Sequence, residues 1–102
     1  MVLEQVHLHV RAGYGQQFEH DFAIAEQYIR SIDGYIEHRL YHCMEVEDKY
    51  LLLVKWRSLE DHTIGFRTSK EYQKWKKLLH HYYDPFPIIE HYEEVGGEYS
   101  DK

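Results

Sequence analysis

Tyr50-Leu-Leu-Leu-Val-Lys-Trp56-Arg-Ser58, followed by Phe66-Arg-Thr-Ser69-Lys-Glu-Tyr72-Gln-Lys-Trp75, is the stretch on which the fold turns. Its first part is apolar at four consecutive positions, 51–54, as a strand covered on both faces requires. Ser58-Leu-Glu-Asp61 then has the spacing of a capping box and predicts a short helix running to about Phe66. Ser69 predicts the cap of a second helix, whose Tyr72, Trp75, Leu79 and Tyr82 share one face. Pro85 and Pro87 end that helix. One layer of helices covers only one face of the strand. A second copy of the chain is the expected cover for the other.

Upstream, residues 2–11 alternate. Val6, Leu8 and Val10 point one way, and Gln5, His7, His9 and Arg11 the other, which predicts a strand. Gly13-Tyr14-Gly15 breaks it. Tyr14, Phe18, Phe22, Ala25, Ile29 and Ile32 recur at helical spacing, and Gly34 suits the left-handed residue that follows a helix end. Residues 35–44 and 49–56 predict an antiparallel hairpin around the polar turn 45–48. Residues 88–95 predict a last strand, and Gly96-Gly97 opens a polar tail, 96–102, expected to be mobile. The domain is thus expected over residues 1–95. The order strand, helix, strand, strand, helix pair, strand is the α+β, ferredoxin-like split β-α-β arrangement with a four-stranded antiparallel sheet. Its first and third strands are central.

The 102 residues make one domain with a modest core. A net charge of -6, with no basic stripe, argues against a nucleic-acid partner. No apolar run approaches the ~18 residues of a membrane span, and the first residues lack the pattern of a signal peptide. The single Cys43 reads as an inert strand residue and fits a cytoplasmic setting. Ten Tyr and nine His are the compositional excesses, and aromatic richness in so small a domain points to a pocket or an interface.

Asp33-Gly-Tyr-Ile-Glu-His-Arg39, the strand 50–56 with Arg57-Ser-Leu-Glu-Asp61-His62, and Phe66-Arg-Thr-Ser69-Lys-Glu-Tyr72 together resemble the antibiotic biosynthesis monooxygenase (ABM) domain. The resemblance spans about residues 2–95. It implies a homodimer in which two sheets face each other as a dimeric α+β barrel, with a pocket in each subunit between sheet and helices. Members of the family include enzymes that oxidise aromatic hydroquinones with oxygen and no cofactor, enzymes that degrade haem, and small-molecule binders. Fold alone does not choose among them.

In quinol-oxidising members a polar residue, an aromatic four positions on and a Tyr six further line the pocket. The resemblance places His62, Phe66 and Tyr72 there, with Phe66 standing where the family has Trp. His62 is then the candidate base and Tyr72 the candidate oxyanion donor. Phe66, Trp75, Val6 and Trp56 are the candidate substrate-binding residues. The bland alternative makes His62 a solvent-facing helix residue and Tyr72, Trp56 and Trp75 core aromatics.

Haem degradation is disfavoured, because the positions matching its Asn, Trp and axial His hold Val6, Phe66 and Lys76, and His80 lies one helical turn out of register. His80 and His81 read as cations complementing a helix C-terminus. His7 and His9 share a strand face and would bind a metal only if His38, His42 or His91 converged on them. The stronger expectation is no metal and no cofactor. The expected function is cofactor-independent oxidation of a small aromatic or quinol-like compound with O2. The alternative is a non-catalytic dimeric module that binds a small ligand or stabilises a stress-related assembly. His62 and Tyr72 meeting at an open cavity would favour the enzyme.

Overall fold

The computed structural model describes residues 1–100, so the end of the 96–102 tail lies outside the described residues. Four strands, β1 (Val2–His9), β2 (Tyr35–His42), β3 (Lys49–Trp56) and β4 (Ile89–Tyr92), form one antiparallel sheet in the order β2-β3-β1-β4. β1 and β3 are central, as expected. Two α-helices, α1 (Gly15–Arg30) and α2 (Lys70–Leu79), pack on one face, and a π-helical segment (Asp61–Phe66) precedes α2.

The register places Glu4, Val6 and Leu8 of β1 beside Val54, Leu52 and Tyr50 of β3 on the helix-covered face. Phe18, Phe22, Ala25 and Ile29 of α1 close over them together with Trp75 and Leu79 of α2. The opposite face carries Leu3, Gln5, His7 and His9 of β1, Leu51 and Leu53 of β3, and Tyr41 of β2. There Leu51 and Leu53 are half-buried and Tyr41 is exposed. No element of the chain packs there among the described residues.

The boundaries differ from the sequence reading in three places. α1 stops at Arg30 rather than reaching Ile32, because the chain turns at Ser31 and Tyr35 N–H bonds the Ile32 carbonyl. β2 ends at His42 rather than at 44. β4 covers four residues rather than eight, because its partner among the described residues, β1, has paired as far as Leu3 when β4 reaches Tyr92. Between α2 and β4, a 3-10 turn (His80–Tyr82) and the segment after it are tied to β1. Arg11 N–H bonds the Tyr82 carbonyl, and Asp84 N–H bonds the His9 carbonyl.

Both serines act as the sequence predicts. Ser69 Oγ accepts from Tyr72 N–H at 3.0 Å. Ser58 Oγ accepts from Asp61 N–H at 3.2 Å and donates to the Asp61 carboxylate at 2.9 Å. Arg57 holds the same carboxylate at 3.0 and 3.1 Å. This knot starts the segment that carries His62. Gly34, at φ +92°, lies against it, and a Cβ there would sit 2.2 Å from Asp61 Cγ. Gly34→Ala combines a left-handed backbone with that clash and is expected to cost about 2 kcal/mol or more. Urea denaturation at constant pH measures it; a loss below about 0.5 kcal/mol would contradict the packing described.

Candidate functional site

A cavity of about 330 Å³ lies between the helix-covered face of the sheet and the π segment, α2 and the 3-10 turn. Val6 and Leu8 of β1, Leu52 of β3 and Ile89 of β4 supply its sheet wall, and Phe66, Tyr72 and Trp75 its aromatic wall. Glu4, His62 and Arg67 gather at one end, and His80, Tyr83 and Phe86 at the other. Ring contacts link the two ends in sequence. His62 lies 6.3 Å from Phe66, Phe66 5.1 Å from Tyr72, Tyr72 5.9 Å from His80, and His80 5.1 Å from Phe86. The exposed side chains of Arg67 and Phe86 mark where the cavity meets solvent.

His62 and Phe66, four residues apart on the π segment, both face inward. Arg67 N–H bonds the His62 carbonyl five residues back, so the backbone is wider than an α-helix and residues four apart nearly eclipse. His62 is 2% exposed, not the solvent-facing residue of the bland alternative. Its ring stacks on Trp56, with centroids 5.3 Å apart and planes 18° from parallel. Its Nδ1 lies 2.8 Å from His91 Nε2, and its Nε2 lies 3.4 Å from Glu4 Oε1. Both ring nitrogens therefore have partners within the fold.

Of the expected binding residues, Val6, Phe66 and Trp75 line the cavity together with Tyr72. Trp56 does not. It is fully buried behind His62, where its Nε1–H donates to Glu4 Oε1 at 2.9 Å. His80 departs from the expectation of a helix-end cation. α2 ends at Leu79, and the 3-10 turn swings the His80 ring over Tyr72 and into the cavity. Burial, with Lys76 adding to it, lowers His80 to about 4, so it is neutral at pH 7. Among the described residues neither its ring nitrogens nor the Tyr72 hydroxyl makes a hydrogen bond. His81 keeps the helix-end role, its Nε2 meeting the Leu78 carbonyl at 3.0 Å.

His7 and His9 lie on the bare face, whereas His38, His42 and His91 are on the helix-covered one. His38 is held between Tyr35 Oη and Glu26 Oε2, each at 2.5 Å. These rings do not converge on His7 and His9.

Glu4 went unnoticed in the sequence. It is 5% exposed, and burial raises its carboxyl to about 7 although the Trp56 N–H and the Arg67 charge both favour the ionised form. Burial lowers His62 to about 3, helped by Arg67 and His91. Near neutrality the Glu4–His62 contact is therefore not a full ion pair.

These shifts fix how stability responds to pH. Glu4, raised in the folded state, contributes stability that is complete below about pH 4.5 and lost as pH rises through about 7. His62 and His80, lowered in the folded state, contribute stability that is present above about 6.5 and lost as pH falls toward their folded values. Between about 4.5 and 6.5 these imidazoles, with His91, which burial also lowers, outweigh the carboxyl, so stability rises with pH and levels off near neutrality, where Glu4 opposes the rise. In Glu4→Gln the opposing carboxyl is gone and the rise with pH is expected to steepen, read from urea midpoints across pH 4.5–8. An unchanged profile would mean that Glu4 titrates normally.

The sequence model of the family described as antibiotic biosynthesis monooxygenase matches residues 1–78. Uncharacterized protein YczJ of Bacillus subtilis (strain 168) is 54% identical over 95 residues, 93% of this chain and all of that protein. A crystal structure from Bordetella bronchiseptica, provisionally named an antibiotic biosynthesis monooxygenase, superposes with a TM-score of 0.87 at 26% identity, covering 92% of this chain and 96% of that one. SnoaB of Streptomyces nogalater, a cofactor-independent oxygenase, shares the fold at a TM-score of 0.71 and 15% identity, covering 99% and 97%. Among the described residues no helix is long and apolar enough to cross a membrane. The chain belongs to the antibiotic biosynthesis monooxygenase family.

Proposed function

We propose that the chain is a cofactor-independent monooxygenase that oxidises a small phenolic or quinol-like aromatic with O2 in this cavity. One observation carries the reading. The aromatic wall of Phe66, Tyr72 and Trp75 ends in two polar groups, the Tyr72 hydroxyl and a neutral His80, that the fold leaves without hydrogen-bond partners among the described residues. A flat ring stacks on the wall. Its hydroxyl proton passes to the His80 imidazole, and the Tyr72 hydroxyl donates to the phenolate that forms. The phenolate passes one electron to O2. The superoxide and phenoxyl radicals then join as a C–O bond, and protonation gives a hydroperoxide. Loss of the carbon-bound proton with O–O cleavage leaves a ring carbonyl and releases water. The sum is a phenol plus O2 giving a quinone plus water.

His62, the base expected from the resemblance, has both nitrogens engaged and is assigned no direct proton abstraction. That engagement favours the second reading, a ligand-binding module without turnover. Oxygen uptake by the purified metal-free protein, against a panel of aromatic hydroquinones and their autoxidation rates, separates the two. Uptake above background that survives a chelator supports the enzyme; none across the panel supports the binder.

A second copy is assigned to the bare face of the sheet, where Leu51, Leu53 and Leu3 sit half-buried beside exposed Tyr41 and Tyr92. Light scattering at micromolar concentration is expected to give the mass of a dimer, and a monodisperse monomer would refute the pairing. Free Cys43 accords with a reducing, cytoplasmic setting.

A further inference from the structure

Glu4 is a buried carboxyl on the otherwise apolar, helix-covered face of β1, it lines the cavity, and its neighbours lead outward. His91 sits directly opposite it on β4, and His62 lies against both. We propose that Glu4, His62 and His91 form a proton conduit joining the Glu4 end of the cavity to the surface at β4, with Glu4 the group that exchanges a proton with the bound ligand.

The geometry permits two hydrogen-bonding states. In one, Glu4 is protonated and faces His62 Nε2, while His62 Nδ1–H donates to His91 Nε2. In the other, Glu4 is ionised and accepts from His62 Nε2–H, while His91 Nε2–H donates to His62 Nδ1. Passing from the first to the second moves the carboxyl proton to His62 Nε2, the His62 Nδ1 proton to His91 Nε2, and the His91 Nδ1 proton to solvent. Both imidazoles are neutral before and after. One proton leaves the cavity and one negative charge appears on Glu4, beside the Trp56 N–H and near the Arg67 guanidinium, both of which stabilise it. His91, half-buried on the edge strand, is the outlet.

The other groups that face Glu4 set its poise without breaking the path. Trp56 approaches from β3 and Arg67 from the end of the π segment. Tyr72, His80 and Tyr83 line the same cavity from α2, the 3-10 turn and the residue after it. Burial holds Glu4 at about 7, where a proton-exchanging group works in both directions at neutral pH. The 3.4 Å separation of Glu4 and His62 is the longest step, and such contacts commonly tighten when a ligand excludes water.

The oxidation proposed above needs one proton removed from the ring and one delivered to the departing oxygen. The conduit rests on that reading for its purpose but not for its test. Imidazole nitrogen NMR on the full chain is expected to show the two His62 nitrogens changing together in one step near neutral pH, and that step is expected to disappear in Glu4→Gln. Exchange of the His62 N–H proton with solvent is expected to slow tenfold or more in His91→Gln, and added imidazole should restore it. A merely structural Glu4 or His91 would alter stability but neither signal. A step that survives in Glu4→Gln, or an exchange rate unchanged in His91→Gln, overturns the proposal. Failure to consume oxygen would leave these readouts intact and would count only against the oxidation.

Discussion

Replacing Trp56 by alanine is expected to cost about 3–5 kcal/mol, a large share of the about 5–15 kcal/mol that a domain of this size holds in all. Trp56 lies on central β3, level with Val2 of β1 and Tyr35 of β2, and is fully buried. Its indole touches Tyr35 edge-on at 6.2 Å, stacks on His62 and leans on Phe66 at 5.7 Å. Removing it opens a void behind the cavity and leaves the Glu4 carboxyl without its donor. Trp56→Phe keeps most of the packing and loses the N–H, so its cost is expected near 1–3 kcal/mol. That cost should depend on pH. Below about 6 folded Glu4 is protonated in both proteins, whereas at pH 8 the variant must bury a carboxylate that has lost a hydrogen bond. The deficit is therefore larger at pH 8. Urea unfolding followed by circular dichroism at both pH values measures it. A Trp56→Ala loss under about 1 kcal/mol would mean that the Trp56–His62–Glu4 packing is not formed.

Tyr72→Phe is expected to lower kcat for quinol oxidation by on the order of tenfold to a hundredfold while leaving stability nearly unchanged, given typical losses of an oxyanion donor. Tyr72 is held at the start of α2 by its own N–H to Ser69 Oγ. Its ring meets Phe66 and His80 edge-on, and phenylalanine preserves both contacts. Only the hydroxyl is lost. Because that hydroxyl has no partner in the fold among the described residues, its removal orphans nothing. A donor to the developing phenolate acts mainly in the transition state, so KM should move little. Turnover equal to that of the unsubstituted chain would remove Tyr72 from the mechanism.

Much of this arrangement was legible in the sequence, and what was not has physical reasons. The apolar run 51–54, the two serine caps and the helical period of Phe18, Phe22, Ala25 and Ile29 specified a central strand, two helix starts and the covered face. Each depends on residues close in the chain. Glu4 carries a signal in the sequence, since it is in phase with Val6, Leu8 and Val10 and must share their burial. The partnership of His62 with Glu4 and His91 had none. It depends on a π turn and on the register of β4 against β1, both settled by tertiary packing. Helical spacing that continues through Tyr82 points His80 to a helix end; the 3-10 tightening after Leu79 turns its ring into the cavity instead. The likeness to the family named His62, Phe66 and Tyr72 together, and all three line the cavity.

The same chemistry makes the choice between enzyme and binder sharp. A binder needs the aromatic wall and nothing more, whereas an oxygenase must also move two protons, and the cavity holds a neutral imidazole at one end and a titrating carboxyl at the other. The measurement that tests monooxygenation most directly uses ¹⁸O-labelled oxygen with the purified, chelator-treated protein and a hydroquinone or phenol that it consumes. The account predicts one labelled oxygen atom in the quinone product for each O2 taken up, with the other recovered as water. Absence of label from the product, with both atoms recovered as hydrogen peroxide or no oxygen consumed at all, would contradict it.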